Sequence, residues 1–234
     1  RDAGTTAAVR ATAPTITARS HARITGANVR IRISQIGCGG RGRLAHMAGV
    51  HQHDAEQNAE FVAVSDPWRL AREEAAAMCK EWYGTQVRQF SSYRDILACK
   101  DVDAVMIASP DHHHAVQLEA TAKAGKHVYV EKPMARNMQE LTAAVDAVKA
   151  AKIVVQVGTQ TRSLPVMTGC HELWKSGLLG KASRIEQCRN SEKPYWYGYV
   201  KAHLPKSADI KQEDVDWKEF LGNAPQRPFS SDVL

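Results

Sequence analysis

The stretch Ile31-Arg32-Ile33-Ser34-Gln35-Ile36-Gly37-Cys38-Gly39-Gly40-Arg41-Gly42 decides the fold of this chain. An apolar strand runs into a glycine-rich turn that opens a helix, and Gly37, Gly39 and Gly42 stand at G-x-G-x-x-G spacing. Each glycine has a task in a dinucleotide-binding turn. Gly37 permits the sharp bend, Gly39 lets backbone approach a pyrophosphate, and Gly42 lets the helix pack closely on the strand. The loop through Gly40 and Arg41 offers its N–H groups to phosphates at the positive end of the helix. The spacing by itself is a weak signal, and its surroundings strengthen it. A second strand, Glu60 to Ser65, ends at Asp66. A carboxylate at that tip can bind an adenosine ribose and repels a 2′-phosphate, which favours NAD. Arg41 and Arg69 keep NADP open. Asp66 before Pro67 equally fits a helix start.

Outward from this unit, strand and helix patterns alternate. A helix is expected around Arg43 to His51, another over Trp68 to Lys80, and a short one from Tyr93 to Ala98 capped by Ser92. Val102 to Ala108 is a short apolar run of the kind buried in a parallel sheet. A helix from His113 to Ala124 stops at Gly125. The strand His127 to Val130, a helix from Met138 to Ala151 and the strand Ile153 to Val157 follow. Such alternation predicts a doubly wound α/β parallel sheet with right-handed crossovers. The unusual residues then fall at the carboxyl ends of five strands: the glycine turn, Asp66, Ser109-Pro110, Glu131-Lys132-Pro133 and Gly158-Thr159-Gln160. Ligands collect at that edge of such sheets. Past Gln160 the rhythm changes. A helix is expected from Pro165 to Ser176, a strand from Ala182 to Arg189, and a long loop with one helix near Asp214 to Leu221.

Composition bounds the function. The 234 residues are 44% hydrophobic and 24% charged, ordinary for a globular chain, and no apolar run reaches a membrane span. The formal charge is +6, of which four units sit in residues 1–30. The body shows no basic face with interleaved aromatics, so nucleic acid is not an expected partner. Five cysteines form no C-x-x-C pair. Cys38 is read as a packing residue. Asp111-His112-His113-His114 invites a metal reading, but adjacent histidines at a helix start cannot all face one ion, and no metal is expected. Asp111 is read as a helix N-cap. His114, one turn in, can face the cofactor edge. Lys132 is the outstanding chemical candidate. Beside a nicotinamide it could polarise a substrate oxygen during hydride transfer, or it could be a surface lysine paired with Glu131.

Gly37-Cys38-Gly39-Gly40-Arg41-Gly42, the run Ser109-Pro110-Asp111-His112-His113-His114, Ala124-Gly125-Lys126-His127-Val128, Glu131-Lys132-Pro133 and Val157-Gly158-Thr159-Gln160-Thr161-Arg162 together resemble the Gfo/Idh/MocA family of NAD(P)-dependent oxidoreductases. The resemblance implies a Rossmann domain at 30–158, preceded by a leader at 1–29. It implies that 159–234 begins an α+β domain with an open-faced antiparallel sheet, incomplete at Leu234, which binds substrate and mediates homo-oligomers in the full-length form. It implies hydride transfer between NAD, with NADP possible, and a sugar, inositol or related polyol. By resemblance, Gly37, Gly39, Gly40, Arg41 and Gly42 serve the phosphates and Asp66 the ribose. Ser109, Pro110 and His114 line the cofactor cleft. Glu131 and Lys132 sit at the nicotinamide, Lys132 moving the proton and touching substrate. Gln160 lies near the ring, and Arg162 lies near the substrate at the domain junction. His113 replaces a tryptophan of a related subgroup. The family's later Asp and His motif has no match after Arg189, and His203 lacks its setting, so the sequence reads as part of a longer protein. Two other functions stay open: NAD-assisted, redox-neutral glycoside hydrolysis, and nucleotide binding without catalysis. Gly26-Ala27-Asn28 resembles the end of a twin-arginine export leader, though the arginine pair is absent, which leaves cytoplasm or periplasm as the expected location.

Overall fold

A computed structural model describes residues 30–186, 188 and 210–231. The leader at 1–29 and His203 lie outside the described residues. The frame is a six-stranded parallel sheet in the order β3-β2-β1-β4-β5-β6. Its strands are β1 (Ile31–Ile36), β2 (Ala59–Ser65), β3 (Arg88–Phe90), β4 (Ala104–Ile107), β5 (His127–Val130) and β6 (Val155–Val157). This is the Rossmann order, and the order of strand addition reverses between β1 and β4 while all strands stay parallel. β1 pairs in parallel with β2 on one side and β4 on the other, with a register shift at Ile33/Ser34 on the β2 side.

Helices cover both faces because the strands are apolar on both. In β4 and β5, Val105, Ile107, Val128 and Val130 point to one face. There they meet α4 (Tyr93–Ala98), α5 (His114–Lys123) and α6 (Met138–Ala151) through Ile96, Leu118 and Ala144. On the opposite face Phe61, Val64 and Cys38 meet α1 (Arg41–Met47 continuing through Ala48–His51) and α3 (Arg69–Tyr83) through Met47, Ala71, Ala75 and Cys79. Successive residues of one strand thus serve different cores, as Met106 between Val105 and Ile107 does, because the side-chain period is two. Each fully buried large aliphatic such as Ile107 contributes about 2 kcal/mol by leaving water. A one-turn helix, α2 (Asp54–Gln57), precedes β2.

Three local expectations change. The first helix, α1, starts at the glycine turn, earlier than Arg43. Arg41–Met47 is wound as a π-helix that passes into α geometry over Ala48–His51. Asp111 does not cap a helix. It sits inside a 3-10 turn, Asp111–His113, that leads into α5, and no side chain caps either start. The strand expected from Ala182 is absent over residues 182–186, which are exposed and irregular, while Gln187 and Arg189 lie outside the described residues. Ser92 does cap α4, accepting from the Arg94 N–H at 3.3 Å.

After β6 the chain makes a 3-10 turn, Gln160–Ser163, and α7 (Pro165–Lys175), with Val166 and Trp174 exposed. The described chain resumes at Ile210. A 3-10 turn, Gln212–Asp214, and α8 (Trp217–Leu221) form a strap across the β2–β3 end of the sheet. Val215 bridges Trp68 antiparallel, the Asp216 N–H donates to Pro67 O at 2.9 Å, and Glu219 accepts from Ser92 and Arg94. Ile210, Val215, Phe220 and Leu221 form a small core of their own with Trp68, Trp217 and Phe229. Among the described residues no helix is long and apolar enough to cross a membrane.

Candidate active site

The rim at the carboxyl ends of the strands is built on Gly37. Its φ of +83° is open to glycine, and an added Cβ would lie 2.4 Å from the Ser109 backbone nitrogen. The loops after β1 and β4 therefore touch at the point where strand order reverses. Gly42 is tighter still, with an added Cβ 2.0 Å from Gly37 O. Gly39 is the opposite case, because a Cβ there would meet nothing within 4 Å. The turn is bare on its open side and sealed on its packed sides. Helix-opening N–H groups lack intrahelical acceptors, so this bare turn is a cradle of donors whose chemistry suits an anion. Beneath it, the buried Gln35 amide donates to Ile36 O and Gly37 O at 3.1 and 3.0 Å and fixes the bend. Cys38 is fully buried, and burial foremost pushes its thiol well above the ordinary value, which fits packing rather than nucleophilic attack.

Asp66 stands at the tip of β2. Its carboxylate accepts from the Cys38 N–H at 2.7 Å and from the Trp68 N–H at 2.8 Å, so it links the glycine turn to the approach of α3. Burial raises its carboxyl pKa, and the two N–H groups and the charges of Arg72 and Arg43 only partly offset this.

At the other end Glu131 is 4% exposed. Arg41 Nε donates to its Oε1 at 2.7 Å, Arg41 Nη2 lies at 2.6 Å, and His46 Nε2 donates to the same oxygen at 2.9 Å. The Lys132 N–H donates to Oε2 at 3.1 Å. Burial alone would raise the Glu131 carboxyl. The bonds from His46 and Arg41, with the Arg41 charge, hold it below its ordinary value. Burial lowers the His46 imidazole, against the pull of Glu131. A neutral His46 must carry its proton on Nε2 to make this bond, and its buried Nδ1 is left without a partner. Arg41 also reaches Gln160. That amide satisfies both neighbours when its nitrogen faces Gly158 O and its oxygen faces Arg41 Nη2, each at 2.5 Å. Arg41 is thus held by Glu131 and Gln160.

Lys132 is exposed at this rim, just before a cis Lys132–Pro133 peptide. Among the described residues its ammonium has no partner, and the Glu131 carboxylate that could have paired with it is taken by Arg41 and His46. His114 is 1% exposed and does not face the open rim. Its ring nitrogens lie 2.7 Å from Pro133 O and Ser109 O, tying together the loops after β5 and β4. The Ser109 hydroxyl donates to Gln117 at 2.6 Å, and Pro110 is exposed beside it. His112 and His113 both reach Phe220 O, at 3.2 and 2.7 Å. Two of the three histidines thus meet the strap and the third ties two loops together, and among the described residues no group of three metal-binding side chains occurs. Arg162 is exposed in the turn after β6.

Sequence reasoning missed His46. The available signal was its position four residues after Gly42, which puts both on the sheet-facing side of one helix. It also missed the strap, whose contacts join positions more than a hundred residues apart.

The model of the Gfo/Idh/MocA oxidoreductase family, with an NAD-binding Rossmann fold, matches residues 31–159, more than half of the chain. The chain belongs to this family. The Gfo/Idh/MocA site accounts for the bare glycine cradle, and NAD is the cofactor its residues fit. Inositol 2-dehydrogenase of Rhizobium meliloti (strain 1021) is 27% identical over 191 residues, covering 82% of this chain and 54% of the relative. Levoglucosan dehydrogenase of Pseudarthrobacter phenanthrenivorans is 36% identical over 111 residues, 47% of this chain and 28% of that enzyme. The crystal structure of the WlbA dehydrogenase from Bordetella pertussis, in complex with NADH and UDP-GlcNAcA, aligns with a TM-score of 0.56 at 30% identity, covering 65% of this chain and 44% of that one. The chain spans about half the length of the curated relatives it matches.

Proposed function

We propose that the protein transfers a hydride between NAD and a CH–OH carbon of a sugar, inositol or related polyol, with Lys132 as the residue that handles the hydroxyl proton. The observation that carries this reading is the division of labour at the end of β5. Glu131 is consumed by Arg41 and His46, and the Lys132 ammonium, exposed on the same rim as the glycine cradle, has no partner among the described residues. NAD, when bound, supplies the hydride-accepting ring. Gly37, Gly39, Gly40 and Gly42 bound its diphosphate and Asp66 its ribose in this reading. Ser109 and Pro110 wall the middle of the cleft, and His114 holds those walls at fixed spacing. Lys132 Nζ donates to the substrate oxygen and exchanges a proton with it as carbinol and carbonyl interconvert. Gln160 and Arg162, on the turn after β6, stand where substrate would enter. The likeness to inositol and levoglucosan dehydrogenases supports a polyhydroxylated substrate.

The test is turnover by the full-length protein against a panel of sugars and inositols, followed as NADH absorbance. Substrate-dependent NADH is expected. Lys132→Met should lower kcat by about 100-fold while NAD affinity stays within about twofold. Release of an aglycone without net NADH would replace this reading with redox-neutral glycoside cleavage. NAD binding with no turnover on any substrate would leave a nucleotide-binding module.

A further inference from the structure

Three arginines gather around the tip of β2, where the adenosine ribose would lie, and each is committed. Arg72 donates to the Asp66 backbone oxygen at 2.8 Å. Arg43 donates to Cys38 O at 2.7 Å and pairs with Glu74. Arg69 is the informative one. It opens α3 three residues after Asp66, near the strand tip around which dinucleotide folds that accept NADP carry an arginine for the 2′-phosphate. Here its fork is divided between two acids. Nη1 meets both Glu73 oxygens at 2.9 Å, while Nε and Nη2 meet Asp214 Oδ1 at 3.1 and 2.5 Å. Glu73 is a neighbour on the same helix, but Asp214 arrives from 145 residues along the chain. Its side chain is 11% exposed while that of Arg69 is 45% exposed, so the acid is the fixed partner. The strap fixes it through the Val215–Trp68 bridge and the Asp216–Pro67 hydrogen bond on the following residues.

We propose that Asp214 reinforces coenzyme specificity: beside Asp66, which itself repels a 2′-phosphate, it occupies Arg69, a cation that could otherwise meet that phosphate, and sets a further negative charge next to it. The inference rests on the reading of this rim as the dinucleotide site. An exposed ion pair adds little to stability, because water screens it and ordering the side chains opposes it. The same pair still decides whether a guanidinium is available to an incoming phosphate, which makes it a specificity device.

The experiment is calorimetric titration of the wild-type full chain and Asp214→Asn with NAD and with NADP, alongside a thermal melt of each. Asparagine keeps the size and some hydrogen bonding of the side chain but not its charge. NADP affinity is expected to rise about tenfold, the worth of one charge-assisted hydrogen bond, with NAD affinity within about twofold. Adding Arg69→Gln to Asp214→Asn should abolish the gain. A merely structural pair would lower the melting temperature and leave the NADP/NAD ratio where it was. An unchanged ratio in a folded Asp214→Asn protein that binds NAD overturns the inference alone. Failure of the wild-type chain to bind either coenzyme overturns the dinucleotide reading and this inference with it. If Asp214→Asn fails to fold, Glu73→Gln reads the same competition from the other acid, and an unchanged ratio there counts equally against the proposal.

Discussion

The two ends of the rim are closed by different physics. At the β5–β6 end, one buried carboxylate, Glu131, gathers Arg41, His46 and the Lys132 N–H, and its side chain is 5% exposed. At the β2–β3 end, the strap is pinned by Arg69–Asp214 and Arg94–Glu219, whose acids are 11% and 24% exposed and whose arginines reach water as Arg41 does, but with no buried imidazole on either acid among the described residues. Loss of the Glu131 charge would weaken the only acceptor of the buried His46 ring among the described residues, and the other ring nitrogen already lacks a partner. Arg69 and Arg94 stand in water, which can replace a lost partner. In the functions proposed above, the first arrangement would hold Lys132 at fixed geometry and the second would select which ligand charge is tolerated.

The sharpest test of this contrast begins in the glycine turn that both ends share. Gly42→Ala puts a Cβ against backbone that cannot yield, and should cost about 3 kcal/mol or more in a urea melt. Gly39→Ala should cost less than about 1 kcal/mol, since its Cβ enters open space, yet weaken NAD binding by calorimetry. Equal stability losses at the two positions would contradict the sealed-and-open geometry. Next in size, Glu131→Gln should cost about 3 kcal/mol while Glu219→Gln costs under about 1 kcal/mol. Similar losses would erase the distinction between the two ends.

The smallest effect concerns His113, which the strap covers. An added Cβ on Gly222 would lie 2.5 Å from its ring. Burial foremost lowers its imidazole from the ordinary value to about 4, against the pull of the Phe220 carbonyl. The unfolded chain then binds a proton between about pH 6.5 and 4 that the folded chain does not, so the stability His113 contributes is present above 6.5 and lost as pH falls through that window. Between pH 6.5 and 5.5 this loss is about 1 kcal/mol. Urea midpoints at the two pH values should show it in the wild type and a smaller slope in His113→Gln. Identical slopes would mean the strap leaves His113 open to water.

Much of the rim was legible because its signals are local. Gly37 and Gly42 stand where a bend and a close packing need them, and Lys132 follows a strand short and apolar enough to recognise. The misread residues share a different cause. Asp111 resembles a cap, but the chain enters α5 through a 3-10 turn, so its side chain has no helical N–H to accept from. Ala182 onward reads as a strand but has no paired edge over 182–186 among the described residues, and a strand is defined by its partner. Arg41 stands in a phosphate loop, yet its partners are Glu131, 90 positions away, and Gln160.

By itself the sequence determined the alternation of strand and helix, the Rossmann turn and the set of residues at the strand ends. Backbone conformation and apolar period depend on residues close together in the chain, so they can be read there. Only the tertiary structure decided which charges are spent and which are free: that Glu131 belongs to Arg41 and His46 rather than Lys132, and that Arg69 belongs in part to Asp214. Charge pairing depends on distance in space and on exclusion of water, and neither is encoded by order along the chain.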